Sequence, residues 1–142
     1  MSWSADARTA GFTGGTPFRP IAPNAATHNV QAQQADPDSI LNFYKAMLAL
    51  RNTRGSIARG SFEHSFADGL VLGFERALGD ERTLVLINYA TATAEVKLAG
   101  LPARARLRAL YPSWGAGASA GAAGAATLAL PPQSVRVFDV RR

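Results

Sequence analysis

Residues able to perform acid–base or nucleophilic chemistry are few in this 142-residue chain and do not cluster. Half of the ten carboxylates fall at positions typical of helix starts and turns, while Glu63, Glu75 and Glu95 alternate with apolar residues. We expect these three on the solvated face of a sheet. Neither His28 nor His64 has a partner at metal-ligand spacing, and no Gly-x-Ser-x-Gly motif surrounds a serine. The sequence therefore predicts no catalytic residue, no metal site and no cofactor.

Aromatic side chains of the N-terminal region are better candidates for ligand contact. Trp3, Phe12 and Phe18 lie on or beside the irregular stretch "AGFTGGTPFRPIAPN", residues 10–24. Aromatic rings on a polar loop are suited to stacking on a sugar ring. The alternative of equal weight is that they anchor the loop to a scaffold. A structureless loop of this length is uncommon in a compact domain unless it is functional, disordered or part of a larger fold.

Residues 36–52 carry the pattern of one long helix. Asp36 is placed as its N-cap and Pro37 at its first position, where the missing N–H costs nothing. Apolar side chains then recur at helical spacing: Ile40, Phe43, Tyr44, Met47, Leu48 and Leu50. Gly55 ends the pattern. A stripe this wide indicates burial against more than one neighbour, so a helix without those neighbours is expected either to self-associate through residues 37–52 or to fold back on the sandwich and leave residues 1–35 mobile.

From about residue 57 the pattern changes to the two-residue period of strands. Seven short runs predict seven strands: "SFEHSF", "LVLGFERAL", "RTLVLINYA", "AEVKL", "ARLRAL", "ATLAL" and "SVRVFDV". Gly79 and Asp80 suit a hairpin turn, and the Gly- and Ala-rich residues 112–126 predict a flexible loop. The fold class is therefore mainly β, an antiparallel β-sandwich preceded by a long loop and one helix.

Alternation within these runs also predicts which residues form the core of the sandwich. In each run it places one set of apolar side chains on a single face of the sheet. The expected core residues are Leu70, Leu72, Phe74, Leu84, Leu86, Val135 and Val137.

Charge and hydropathy exclude several classes of protein. The net charge is +5, but the basic residues are scattered among apolar neighbours, so we expect no nucleic-acid partner. No apolar run approaches the roughly 20 residues needed to cross a bilayer, so we expect no membrane partner. The first nine residues have neither the basic nor the apolar region of a signal peptide, which favours a cytoplasmic location.

The order of motifs in the first 54 residues resembles the α-amylase superfamily of glycoside hydrolases, in its α-glucosidase and oligo-1,6-glucosidase branch. "MSW" is followed by "AGFTGGTPFRPIAPN" and then by "NVQAQQADPDSILNFYKAMLALR". The branch has the same order after its eighth barrel strand, with Trp where Phe18 stands here. The remaining residues, closing with "LPPQSVRVFDV", are similar to the C-terminal sandwich of those enzymes.

This resemblance implies an origin for each part of the chain. Residues 1–54 correspond to the last loop and helix of a (β/α)8 catalytic barrel, and residues 55–142 to the C-terminal β-sandwich domain. Because barrel enzymes place their sites on such loops, Trp3, Phe12 and Phe18 become substrate-rim residues. Met1 stands where the family has an internal Met, so we expect the chain to begin within a longer domain.

The resemblance also implies what the chain lacks. Family members are retaining enzymes that use an Asp nucleophile, a Glu acid–base and a second Asp, and no position here matches them. The expected function is that of a structural, non-catalytic C-terminal part of an α-glucosidase-like hydrolase, meeting α-linked oligosaccharides through the parent enzyme. The alternative is a stand-alone carbohydrate-binding or protein-interaction β-sandwich module.

Overall fold

The computed structural model describes residues 2–142, so Met1, with which the first motif opens, lies outside the described residues. The chain divides into two compact units, Met1–Ala49 and Leu50–Arg142. The expected domain boundary after residue 54 separates the part that corresponds to the catalytic barrel from the part that corresponds to the sandwich domain, and it stays a prediction. No helix within residues 2–142 is long and apolar enough to cross a membrane.

Three helices and eight strands form in chain order. The helices are α1 (Val30–Ala35), α2 (Ile40–Thr53) and α3 (Gly55–Arg59). The strands are β1 (Ser61–Asp68), β2 (Val71–Leu78), β3 (Glu81–Asn88), β4 (Ala94–Leu98), β5 (Arg106–Tyr111), β6 (Ala118–Ser119), β7 (Ala126–Leu130) and β8 (Ser134–Arg141). All seven predicted strands form, with two short helices and one short strand in addition.

The long helix α2 begins at Ile40, later than the sequence predicts. The hydroxyl oxygen of Ser39 accepts a hydrogen bond from the backbone N–H of Asn42 at 3.2 Å. The side-chain oxygen of Gln33 accepts from the backbone N–H of Leu41 at 3.0 Å. Two N–H groups that have no partner within the helix are therefore satisfied by Ser39 and Gln33.

Asp36, the predicted cap of that helix, instead follows the end of α1. Its backbone N–H donates to the carbonyl of Gln33 at 3.3 Å, and its carboxylate accepts from the backbone N–H of Asp38 at 2.9 Å. The prediction was wrong because the carboxylate is engaged in a local Asx-type turn. Pro37 therefore lies in that turn and not in the helix.

The apolar stripe of α2 is exposed along one line of the helix. Ile40, Tyr44 and Leu48 are spaced four residues apart and are each more than half exposed. No residue of α2 is buried. Self-association through this helix, predicted over residues 37–52 and observed over Ile40–Thr53, stays a prediction.

Two antiparallel sheets form the sandwich, as the sequence predicts. The larger has the strand order β1-β2-β3-β8-β5-β6, and the smaller pairs β4 with β7. Leu78 pairs with Glu81 across the predicted two-residue hairpin turn, in which Gly79 adopts a φ of 57°. Glycine suits this position because left-handed backbone strains residues that carry a Cβ.

The core lies between the inner face of the six-stranded sheet and the β4–β7 pair. Its largest fully buried apolar side chains are Leu86, Leu107, Leu130 and Phe138. Leu86 is opposite Gly73, where the ring of Phe66 fills the space that a Cβ would need. The ring of Phe66, from the neighbouring strand β1, therefore covers the core at this point of β2.

The predicted core set is correct in β3 and wrong in β2. Leu84 and Leu86 are buried in the core, but Leu72 and Phe74 lie half-buried on the outer face of the sheet, and Leu70 is 62% exposed in a turn. Residues are apolar at consecutive positions here, so alternation could not reveal which face points inward.

In β8 the two predicted core residues also lie on the outer face. Val137 pairs with Val85, and Val135 with Ile87. Val137 is nevertheless 2% exposed, whereas Val135 is half-buried. The next residue along the strand, Phe138, lies on the inner face, where it pairs with Leu84.

The Gly- and Ala-rich residues 112–126 are more ordered than the sequence predicts. They contain β6, whose Ala118 pairs with Leu107 of β5, and Ala120 is buried in the core. The sequence predicts only a loop here, whereas the stretch contributes one short strand and one core residue. Alanine fits here because the neighbouring backbone lies close.

A buried carboxylate joins the start of the sandwich unit to its central strands. Asp139 of β8 is 5% exposed. It accepts hydrogen bonds from Arg54 at 2.7 Å, Arg108 at 3.2 Å and Arg141 at 2.6 Å. Burial alone would raise the pKa of Asp139, but the hydrogen bonds from Arg141 and Arg54 outweigh it and hold that pKa below its usual value.

The first prediction concerns the core. Leu86→Ala should lower the free energy of unfolding by about 2–5 kcal/mol, because it leaves a cavity at a fully buried position. The matched control is Leu70→Ala, which removes the same atoms from an exposed turn and should change that free energy by less than about 0.5 kcal/mol. Urea denaturation of both variants measures the difference. Equal losses of unfolding free energy in the two variants would mean that the register of β3 is wrong.

The second prediction concerns Asp139. Asp139→Asn should lower the free energy of unfolding at pH 7 by about 3 kcal/mol, because it leaves the largely buried guanidinium of Arg54 without its carboxylate. A depressed folded-state pKa gives stability that is present above the unfolded value and lost as the pH falls through the folded value. The difference between wild type and variant should therefore shrink below about pH 4.

The control for this second experiment is Asp80→Asn in the exposed hairpin turn. It removes one carboxylate without disturbing a buried ion pair, so its effect on unfolding should stay within about 0.5 kcal/mol. A loss for Asp139→Asn that persists unchanged at pH 3 would contradict the role given to this carboxylate.

Candidate functional site

The segment that carries Trp3 is bonded through its backbone on both sides. The N–H groups of Trp3 and Ser4 donate to the carbonyl of Ala10 at 2.8 and 3.1 Å. The carbonyls of Ser2 and Trp3 accept from the N–H groups of Val30 and Gln31, each at 3.0 Å. The loop and the start of α1 are thereby both bonded to the backbone of residues 2–4.

A tight turn at Ala10 and Gly11 brings the loop against Trp3. Ala10 is fully buried with a φ of 48°, and Gly11 has a φ of 74°. A Cβ on Gly11 would lie 3.0 Å from the Cβ of Trp3. Glycine is required here both by the left-handed backbone and by this close approach.

The three predicted rim residues are only partly brought together. Trp3 and Phe12 meet edge to face, with ring centroids 6.4 Å apart, and both are more than half exposed. Phe12 and Phe18 line one groove of about 550 Å³, whereas Trp3 does not line it. Phe18 is 98% exposed, so its ring has no packing role within the described residues.

The groove combines apolar walls with few polar groups. Beside the two phenylalanines, its wall includes Arg19, Pro20 and Ile21. A surface of this kind offers rings and aliphatic carbons to the apolar face of a sugar and one guanidinium to its hydroxyl groups. It carries no carboxylate, so it offers binding contacts and no general acid or base.

Polar side chains that follow the loop fix its shape. Asn29 is 1% exposed; its side-chain oxygen accepts from the N–H of Ala32 at 2.9 Å, and its amide donates to the carbonyl of Ala25 at 2.9 Å. Asn42 donates to the carbonyls of Gln33 and Asp36 at 2.9 and 2.7 Å. The motif "NVQAQQADPDS" is therefore a set of helix caps and not a set of ligand contacts.

The acidic side chains near the groove are engaged in turns. Asp6 accepts from the hydroxyl of Thr9 and from the backbone N–H of Arg8, and these two bonds lower the pKa of Asp6. His28 shares a 2.8 Å hydrogen bond with the hydroxyl of Thr27. Within residues 2–142 no three His, Cys, Asp or Glu side chains are grouped so that they could hold a metal ion.

The sandwich unit contains a charged cluster that the sequence did not reveal. Glu75, expected on a solvated face, is 6% exposed and stands opposite Leu84 on the inner face. Its carboxylate lies 3.0 Å from Arg82 Nη1 and 3.4 Å from His64 Nδ1. His64 reaches it because β1 bulges there, with a φ of 48° at His64. The prediction for Glu75 was wrong because alternation sorts the residues of a strand into two faces but does not say which face points inward.

Comparison with known proteins identifies the origin of these features. Residues 1–60 match the family described as "Alpha amylase, catalytic domain". The oligo-1,6-glucosidase of Parageobacillus thermoglucosidasius is 34% identical over 99 residues, which is 69% of this chain and 17% of that enzyme. A probable oligo-1,6-glucosidase of Bacillus subtilis is 43% identical over 63 residues, 44% of this chain and 11% of that protein.

Solved structures give the same result for nearly the whole chain. The trehalulose synthase of Pseudomonas mesoacidophila MX-45 matches 99% of this chain with a TM-score of 0.75 and 27% identity, over 24% of its own length. The isomaltulose synthase of Klebsiella sp. LX3 matches 99% of this chain with a TM-score of 0.75 and 29% identity, also over 24% of its length.

The chain thus spans less than a fifth of the curated relatives and about a quarter of the solved ones. Its first residues match a catalytic domain, and the rest has the sandwich fold of the same proteins. This chain belongs to the α-amylase superfamily of glycoside hydrolases.

Proposed function

We propose that this chain is the C-terminal part of an α-glucosidase-like enzyme that hydrolyses α-glucosidic bonds of oligosaccharides. In that enzyme it supplies the last barrel loop and helix and an accessory sandwich, and it has no catalytic activity alone. One observation carries the proposal: a catalytic-domain match that is confined to residues 1–60. A complete (β/α)8 barrel needs about 250 residues, so the match amounts to a small part of one.

The geometry of the first unit supports a role at the rim of a substrate site. The caps formed by Asn29, Gln33 and Ser39 hold the loop without using its aromatic rings. Phe12 and Phe18 are thereby left to line the groove. Because the backbone of the loop is held by these contacts, it does not have to be ordered when a ligand binds, which lowers the entropic cost of binding. Trp3, Phe12 and Phe18 are proposed as rim residues on this basis.

The second candidate is a stand-alone carbohydrate-binding or protein-interaction module. It is favoured by the separate core of the Leu50–Arg142 unit. The two candidates differ in what the genomic DNA upstream of Met1 encodes. A continuous reading frame with a barrel sequence would support the first, and a stop codon followed by an unrelated gene would support the second. A cytoplasmic location stays a prediction under either.

The third prediction tests catalysis by the chain itself. Purified chain incubated with an aryl α-glucoside and with isomaltose should release no aglycone or glucose above the buffer blank. The physical reason is that the groove offers no acid–base pair of the kind that glycoside hydrolysis requires. Turnover that stays with the chain through successive purification steps would contradict the proposal.

The fourth prediction tests the rim in an enzyme that contains this chain. Phe18→Ala should raise the KM for an α-linked oligosaccharide about two- to tenfold with little change in kcat, because it removes one stacking contact. The control is Tyr89→Ala, which removes an aromatic ring that is more than half exposed on the sandwich and should leave KM unchanged. Equal effects of the two changes would exclude a specific role for Phe18.

A further inference from the structure

Trp114 lies exposed on the sandwich, outside every contact used above. Its side chain is 78% exposed, and it stands in the Gly- and Ala-rich stretch that follows β5. Single exposed apolar side chains are common on protein surfaces. What distinguishes Trp114 is that the backbone of its turn is fixed to the sandwich and that a cationic side chain lies beside its ring.

The turn that presents Trp114 is tightly built. The N–H of Gly115 donates to the carbonyl of Pro112 at 2.8 Å, so Trp114 is the third residue of a closed turn. A Cβ on Gly115 would lie 2.9 Å from that carbonyl oxygen and 2.5 Å from Nη1 of Arg136. No larger residue fits at position 115 unless the turn or the arginine moves.

Arg136 provides the second half of the arrangement. It stands on β8 opposite the fully buried Leu86, and its guanidinium carbon lies 5.9 Å from the centroid of the Trp114 ring. This is cation–π distance. Within residues 2–142 the guanidinium forms no salt bridge and no hydrogen bond, so its donors are available to a ligand.

The far side of the turn is also fixed to the sandwich. Ala118 pairs with Leu107 in the β5–β6 ladder, and a Cβ on Gly117 would lie 2.6 Å from the carbonyl oxygen of Leu107. The segment is therefore anchored both before and after Trp114. A backbone held in this way does not have to be ordered when a ligand stacks on the exposed ring.

We infer that Trp114 and Arg136 form a further binding site, for a pyranose ring of an α-linked gluco-oligosaccharide. The apolar face of the sugar stacks on the indole, and the guanidinium donates hydrogen bonds to the sugar hydroxyl groups. Ser113 and Gly115 precede and follow Trp114 in the turn, and neither adds a large side chain beside the indole. They supply none of the surrounding apolar contacts that a protein hot spot needs.

The choice of a gluco-oligosaccharide rests on the proposed function, while the site itself rests on the geometry of the turn. The chain has two tryptophans, Trp3 and Trp114, one in each unit. Each can be made the sole fluorophore by a single substitution. The two proposals are thereby separated within one chain.

The fifth prediction uses the intact chain with Trp3→Phe, in which Trp114 alone reports. Titration with maltotriose and with isomaltotriose should give a saturable change in tryptophan emission, whereas sorbitol, an acyclic polyol, should give none. Arg136→Ala in this background should weaken binding about fivefold, the loss expected for one cation and its donors. Ser113→Ala is the matched control and should leave affinity unchanged.

Arg136→Lys is a second variant, which keeps the test decisive if the alanine variant misfolds. It keeps the charge but loses the planar donor fork, so it should bind more weakly than arginine while its circular dichroism spectrum is unchanged. If neither trisaccharide gives a saturable signal, or if sorbitol gives an equal response, the inference is overturned. An unchanged affinity in both Arg136 variants would overturn it too.

The reciprocal variant, Trp114→Ala, leaves Trp3 as the reporter of the N-terminal loop. A sugar response in this variant but not in Trp3→Phe would overturn the Trp114 site and leave the proposed function standing. A response in Trp3→Phe alone would support the Trp114 site and count against the proposed rim.

Discussion

The carboxylate of Asp139 is the constraint on which the sandwich unit depends. It is buried and receives guanidinium groups from the segment before α3, from β5 and from its own strand. A buried charge without partners costs several kcal/mol, so β5, β8 and Arg54 must keep their present register for the fold to be stable. Arg54 is thereby attached to the sandwich and not only to the helix that precedes it.

The contacts around α3 extend this attachment. The hydroxyl of Ser56 lies 2.8 Å from that of Thr83, and the backbone N–H of Ser56 donates to Glu81 at 2.5 Å. Residues 50–60 lie within the catalytic-domain match, yet they fold with the unit Leu50–Arg142. The boundary of the family match and the boundary of the folded unit therefore differ by about one short helix.

The strands were predictable because turn residues separate runs of period two, as at Gly79 between β2 and β3. What the sequence could not supply was the inward face of a strand that is apolar on both sides, such as β2. It also could not supply the capping of α2 by Gln33, whose side chain comes from a preceding helix. Local signals favoured Asp36, and a contact between residues eight positions apart prevailed.

The sequence predicted which types of residue would form the candidate site but not how they are arranged. Aromatic rings on an irregular loop indicated ligand contact, and Phe12 and Phe18 do line one groove. Trp3 contacts Phe12 and does not line the groove, and this arrangement depends on the left-handed turn at Ala10. An alanine in the sequence does not predict a left-handed turn. Likewise, nothing in the sequence links Trp114 to Arg136, because the contact arises from strand pairing.

The bulge at His64 has a consequence for how this sheet meets other molecules. β1 is one edge of the six-stranded sheet, and its pairing with β2 is interrupted between Glu63 and Phe66. The opposite edge, β6, is only two residues long. An interrupted edge and a short edge are both poor templates for a strand from another chain. The sheet is thus protected against open-ended edge-to-edge aggregation at both of its edges.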